Sequence, residues 1–387
     1  MLILSKKKRA FIFLVNLILR VVFSPYSFFR YVNRKKFCTP CKILVLELWG
    51  IGDIALVTPA LIALRQRSPE AKIAILAKKH AMEILQHSSL VDEFIIYDFP
   101  WTKFKGKYRF WQWDFRGLLK LINRLRKESF DLALDARGDF RNNLLSFLIS
   151  SKKRIGYDWT GGGYFLTDVV SLGYEGLHRV DAWLNLLKYL GISTDSVTPR
   201  LYLSEDEDKW AEDFLADNAI TPDDLVIGIH PGGRIKKRCW PLDRFVKVAD
   251  SIKDKYNAKI IVFVEPDGYG DALAMNKYFV HAKLSLRELI SVISKLNLFI
   301  CNDSGPMHIA TAVDTPVLAI FGPGDLEAIG PYGKGHNIVI KDGFSCRPCY
   351  DYCKYKEPLC LTSITVEDVL NQVDATLKEF ACQKADI

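Results

Sequence analysis

From Lys42 onward, short runs of consecutive apolar residues alternate with longer stretches in which apolar residues return every three or four positions. The first spacing suits strands buried on both faces and the second suits helices laid against them, so the alternation predicts parallel α/β units. Strands are expected at residues 42–48, 72–77, 93–98 and 131–136, with helices at 53–67, 116–129 and 179–190, the last closing on Gly191. A polar bridge, 192–200, and the acidic helix start Ser204-Glu205-Asp206-Glu207 interrupt the pattern. It restarts with strands at 225–230, 259–265, 298–302 and 316–321. The expected organisation is an α/β protein with an arm at 1–41, a Rossmann-like half at 42–198 and a second at 199–387. Such sheets bind ligands at the carboxyl ends of their strands, so function is sought in the loops that follow strands.

Charge changes the picture of the arm. The 387 residues carry a formal +8, yet residues 1–42 hold ten Lys/Arg and no Asp/Glu, which leaves 43 basic against 45 acidic residues elsewhere. A nucleic-acid binder would spread its basic residues over the folded body, so that partner is not expected. Lys6-Lys7-Lys8-Arg9 precedes an apolar run to Leu19 that spans about half a bilayer, and Tyr26, Phe28, Phe29 and Tyr31 follow before Arg34-Lys35-Lys36. Interleaved bases and aromatics predict a segment lying on an anionic cytoplasmic leaflet; an uncleaved anchor and a helix packed on the protein are the alternatives.

Three loops carry candidate chemistry. Trp49-Gly50-Ile51-Gly52-Asp53-Ile54-Ala55 follows a strand and opens a helix. Gly50, Gly52 and Ala55 fit a loose dinucleotide fingerprint, but no acidic residue closes the next strand, and Asp53 would repel a pyrophosphate. Asp53 suits a helix cap or a general base for an acceptor hydroxyl. His230-Pro231-Gly232-Gly233 leads into Arg234, Lys236, Lys237 and Arg238, a set able to cradle a diphosphate or simply to be solvated. Asn302-Asp303-Ser304-Gly305-Pro306-Met307-His308 turns from strand to helix, where N-terminal amides can receive an anion.

These loops, with Thr58-Pro59-Ala60-Leu61, Lys237-Arg238-Cys239-Trp240-Pro241 and Phe321-Gly322-Pro323, occur in an order that resembles glycosyltransferase family 9, the heptosyltransferase family, over roughly residues 42–380. The resemblance implies a GT-B fold of two Rossmann-like domains facing each other across a cleft. It implies inverting, metal-independent transfer of a sugar, in the best-known members from ADP-heptose, to a lipopolysaccharide core or related lipid-linked acceptor at the cytoplasmic face of a bacterial membrane. It places the general base on Asp53 and donor-phosphate contacts on Lys237, Arg238, Asp303, Ser304, Gly305 and His308. Arg238 stands where the family carries lysine. A donor-ribose contact is expected at Glu265 or Asp267, and an acceptor side at Gly50, Gly52, Arg137 and Arg141. A UDP- or GDP-sugar donor, a non-catalytic glycan-binding relative and an NADP-dependent oxidoreductase are the rival readings.

Two features lie beside that reading. Cys346, Cys349, Cys353 and Cys360 have a spacing able to close a structural zinc site, with disulfides and free thiols as alternatives. Residues 99–115 hold Trp101, Phe104, Tyr108, Phe110, Trp111 and Trp113 among four bases, suited to lipid headgroups, to a glycan or to ordinary packing.

Overall fold

The predicted alternation is realised twice in a computed structural model that describes residues 16–23, 40–103, 109–264, 279–349 and 353–385. The chain divides into two units, Met1–Val197 and Thr198–Ile387.

In the first unit, β1 (Lys42–Leu46), β2 (Lys72–Ala77), β3 (Glu93–Ile96), β4 (Leu132–Asp135), β5 (Lys153–Gly156) and β6 (Asp168–Val169) form one sheet in the order β3-β2-β1-β4-β5-β6. All pairings are parallel, β1 meeting β2 from Lys42↔Lys72 to Leu46↔Leu76 and β4 at Ile43↔Leu132. Ile43, Leu44, Val45, Ile73 and Ile75 are fully buried, as strands covered on both faces require, each such side chain contributing roughly 1.5–3 kcal/mol. Residues 16–23 form α1; then come α2 (Ile51–Arg67), α3 (His80–Ile84), α4 (Phe115–Glu128), α5 (Phe140–Ile149) and α6 (Arg179–Tyr189). The largely apolar α2 is covered along most of its length and packs beside α6. Gly191, at φ +72, follows α6 as expected of a C-cap, and its N–H donates to the Lys188 carbonyl at 2.9 Å.

The second unit repeats the plan. β7 (Val226–His230), β8 (Lys259–Phe263), β9 (Val280–Ala282), β10 (Leu298–Asn302), β11 (Val317–Ile320) and β12 (Asn337–Val339) form a parallel sheet ordered β12-β11-β10-β7-β8-β9. Its helices are α7 (Glu205–Asp217), α8 (Leu242–Tyr256), α9 (Leu286–Ser294), α10 (Gly305–Ala312), α11 (Leu326–Ile329), α12 (Leu359–Thr362) and α13 (Val366–Ala385). The acidic start of α7 is a reciprocal cap, Ser204 N–H donating to Glu207 at 3.0 Å and Glu207 N–H to Ser204 Oγ at 3.2 Å. Trp240 is fully buried, its indole donating to the Ile364 carbonyl at 3.0 Å, which ties the head of α8 to the segment before α13.

Each sheet thus has the order of a doubly wound fold, reversing between β1 and β4 in one and between β7 and β10 in the other. The motif-bearing loops follow these four strands.

Candidate active site

At the first reversal, the chain leaves β1 through Glu47, Leu48 and Trp49 and enters α2 at Gly50. The Gly50 N–H donates to Asp53 Oδ2 at 2.9 Å, so Asp53 caps its own helix. Its other oxygen, Oδ1, accepts from Arg137 Nη1 at 3.0 Å, an ion pair brought in by the loop after β4. The Arg137 guanidinium also lies 4.3 Å from the centroid of the Trp49 ring. The turn behind it requires glycine, for Gly138 has φ +61 and a Cβ there would stand 2.7 Å from Trp159.

Trp159 stacks on Tyr157 at 4.2 Å and meets Tyr174 edge-on at 5.2 Å. Arg179, at the head of α6, closes this wall, donating to Tyr174 Oη at 3.3 Å with its guanidinium 5.2 Å from that ring. Burial, then the charge of Arg137, lowers the Arg179 pKa. Glu47 is buried beneath the group, and its Oε1 has no hydrogen-bond partner among the described residues. Burial first and the charge of Asp53 second push its pKa up to about 8, against the opposing pull of Arg137. Asp135, at the end of β4, is raised to about 7 by burial despite the 2.8 Å hydrogen bond it accepts from Asn142.

At the second reversal one buried amide organises the loop. Asn302 donates to the carbonyls of Pro231 at 2.7 Å and Gly232 at 3.2 Å and accepts from Trp240 N–H at 2.9 Å. Both ends of the segment after β7 are thereby tied to β10. Between them a turn at Lys236–Arg238 leaves Lys237 exposed and points Arg238 Nη1 to Asp303 Oδ2, 3.2 Å away in a largely buried pair. Ser304 is extended (φ −151, ψ 168) before α10, and its hydroxyl is buried, caps nothing and finds no partner among the described residues. The first-turn amides of α10 are thus left without a side-chain cap, the arrangement that receives anions. His308 is buried on the same helix.

The structure therefore joins Asp53 to Arg137 and Arg238 to Asp303, beside Ser304 and Gly305. Arg141 is directed elsewhere: its guanidinium grips Asp139 at 2.8 and 2.6 Å, because Asp139, the residue after Gly138, caps α5. Glu265 and Asp267 lie outside the described residues, as do Phe104 and Tyr108. Trp101 is buried in the core and the partly buried Trp113 packs against it with centroids 6.0 Å apart, whereas Trp111 is 79% exposed. Sequence pattern does not mark Glu47, Trp49, Arg179 or Asn302 individually as site residues; the signal for Glu47 is a carboxylate interrupting the apolar run that begins in β1 and continues to Leu48 and Trp49.

Cys346, Cys349, Cys353 and Cys360 are free thiols, and burial, with the other three thiols, raises Cys349 to about 11. Among the described residues, however, no group of three or more His, Cys, Asp or Glu is placed to hold a metal ion. Also among the described residues, no helix is long and apolar enough to cross a membrane.

Comparison with known proteins agrees with this architecture. The family profile described as Glycosyltransferase family 9 (heptosyltransferase) matches residues 118–359. The chain is 29% identical over 288 residues to lipopolysaccharide heptosyltransferase 3 of Escherichia coli, covering 71% of this chain and 80% of that protein. It is 24% identical over 312 residues to the lipopolysaccharide core heptosyltransferase OpsX of Haemophilus influenzae, covering 78% and 84% respectively. Among solved structures, the E. coli ADP-heptose lps heptosyltransferase II superposes with a TM-score of 0.69 at 20% identity, covering 88% of this chain and 99% of that one. With more than half its length matched by the family profile and both of its sheets wound as that fold requires, the chain belongs to glycosyltransferase family 9, the heptosyltransferases of the GT-B fold.

Proposed function

We propose that this enzyme moves a heptose from ADP-heptose, with inversion, onto a lipid-linked core saccharide of lipopolysaccharide. The observation that carries the reading is the difference between the two reversals: a carboxylate paired with arginine at one, an uncapped helix N-terminus beside a cationic turn at the other. The names of the relatives supply the sugar and the acceptor class.

In this reading the acceptor hydroxyl oxygen attacks the anomeric carbon, the bond from that carbon to the diphosphate oxygen breaks, and the hydroxyl proton passes to Asp53. Arg137 holds Asp53 in place and, with Arg179 and the aromatic wall, receives an anionic acceptor group. The leaving ADP gains negative charge as the bond breaks, so the α10 amides at Ser304-Gly305 and the cations Lys237 and Arg238 stabilise the transition state more than the ground state. Protein groups supply the neutralising charge, and no cofactor is invoked. Glu265 or Asp267 serves the donor ribose, and His308 lines the donor side. Because the acceptor is lipid-linked, the enzyme works peripherally at the inner face of the cytoplasmic membrane, and residues 1–41 contribute to that attachment.

The test offers the full-length protein ADP-heptose, UDP-sugars and GDP-sugars in turn with a lipid-linked core acceptor, and reads the acceptor mass. Gain of one heptose unit from ADP-heptose alone is the expected result; hexose gain from a UDP- or GDP-sugar, or no gain from any donor, would overturn the assignment.

A further inference from the structure

The helical layer around α5 carries two apolar strips that face solvent. On α1, one side is anchored. The Asn16 carboxamide accepts from Gly162 N–H at 3.0 Å and from Tyr164 Oη at 3.2 Å, and Phe23 meets Phe165, Phe147 and Tyr164 with centroids 5.2, 5.7 and 5.9 Å away. Gly161, at φ +99, makes this docking possible, since a Cβ there would come within 2.1 Å of Asn16. With that side fixed, Leu17, Ile18, Val21 and Val22, two pairs at i,i+4 spacing, remain 50, 55, 69 and 63% exposed.

The second strip begins at Trp111 and runs onto α4, where Phe115 and Leu119, again i,i+4, are 52 and 60% exposed. It lies in the same layer: α4 packs beside α5, and α5 carries the Phe147 that Phe23 touches. The crossovers β3-α4-β4 and β4-α5-β5 also run in the same direction across the sheet, so the right-handed rule puts α4 and α5 on one face. Bases accompany both strips, with exposed Arg20 on α1 and exposed Arg116 and Lys120 on α4.

We infer that this layer of the first unit is a docking surface for an anionic lipid bilayer, with Leu17, Val21, Trp111 and Leu119 entering the interface and Arg20, Arg116 and Lys120 meeting the headgroups. Charge decides the occupant. A second copy would set the same bases, and the ten Lys/Arg of residues 1–42, against themselves, whereas an anionic leaflet complements them. Exposed tryptophan and aliphatics beside cations are what an interfacial surface presents. The inference rests on the membrane placement proposed above and adds which face meets the lipid: the acceptor-side unit is held by two contacts separated in sequence, so its orientation on the leaflet is fixed.

The test is cosedimentation of the full-length protein with vesicles of phosphatidylethanolamine and phosphatidylglycerol, and with vesicles of phosphatidylcholine alone. The wild type is expected on the anionic vesicles only. Trp111→Ser with Leu119→Ser, and separately Leu17→Ser with Val21→Ser, should each lower partitioning at least about tenfold, and Arg116→Ala with Lys120→Ala by about tenfold or more. ADP-heptose titration of each variant checks that the protein is folded. Unaltered partitioning of all three variants, equal binding to both vesicle types, or a concentration-dependent dimer that the variants abolish would overturn the inference. Transfer to an acceptor fragment lacking lipid, measured in parallel, separates failure of the surface from failure of the proposed activity, since the surface variants should leave that rate unchanged.

Discussion

The two sheet reversals share one topology and carry opposite chemistry. In the first, the loop after β1 is closed by charge pairing: Asp53 is held by Gly50 and Arg137, and a buried carboxylate, Glu47, lies below. In the second, the loop after β7 is closed by a neutral amide, Asn302, and the charged groups sit on a turn and at a helix N-terminus. The fold fixes where a ligand can bind, while the residues placed just beyond the strand ends decide what is done to it. A carboxylate held by arginine suits proton transfer, whereas at the second loop Asp303 offsets part of the charge of Arg238 and the exposed Lys237 and the uncapped helix amides remain for a diphosphate.

The comparison can be broken one residue at a time. Asp53→Asn should have the largest effect, lowering the transfer rate constant by about 10²–10⁴ with donor affinity intact, read by steady-state kinetics beside calorimetry. Asn302→Ala comes next. It leaves the buried Trp240 N–H and two carbonyls without their partner, so a loss of roughly 2–3 kcal/mol in the second unit is expected in thermal unfolding, with weaker donor binding. Arg238→Ala should weaken ADP-heptose binding by about 1.5–3 kcal/mol, and Arg238→Lys should recover part of it, since a lysine keeps the charge but not the fork.

The smallest effect sharpens the contrast through pH. The folded-state pKa of Glu47 is raised, to about 8, so the native protein holds that proton more tightly than the unfolded chain does. Stability from this group is therefore fully present below the ordinary carboxylate range and is lost as pH rises toward about 8. Glu47→Gln cannot ionise, so its stability relative to wild type should improve by roughly 1 kcal/mol or more between pH 5 and pH 8 in denaturant titrations. A constant difference across that range would contradict the buried-carboxylate account.

Much of this was legible in the sequence, because the long buried strands and the loops after them are periodic and locally encoded. The sheet cores, the restart near residue 200, the α7 cap and the Gly191 stop follow from patterns a few residues long. Edge strands β6, β9 and β12 are only two or three residues long, too short for any period to register. Within the site, sequence alone does not distinguish Arg137 from Arg141. The choice depends on the left-handed turn at Gly138 and on Asp139 being used as a cap, both tertiary facts. Asn302 stood inside a recognised motif, yet its task of tying Pro231, Gly232 and Trp240 together joins segments more than sixty residues apart in the chain. For the cysteine cluster the spacing leaves zinc, disulfides and free thiols open together; the four are free thiols, and among the described residues no group of three or more His, Cys, Asp or Glu is placed to hold a metal ion.

The division of labour between the two reversals is tested most directly by titrating ADP-heptose into Asp53→Asn and Arg238→Ala side by side, with the wild type as reference, and then adding acceptor to each. Asp53→Asn is expected to bind donor as the wild type does and to transfer almost nothing, while Arg238→Ala binds donor weakly and regains much of its rate when donor is saturating. Wild-type transfer by Asp53→Asn, or undiminished donor binding by Arg238→Ala, would contradict the account.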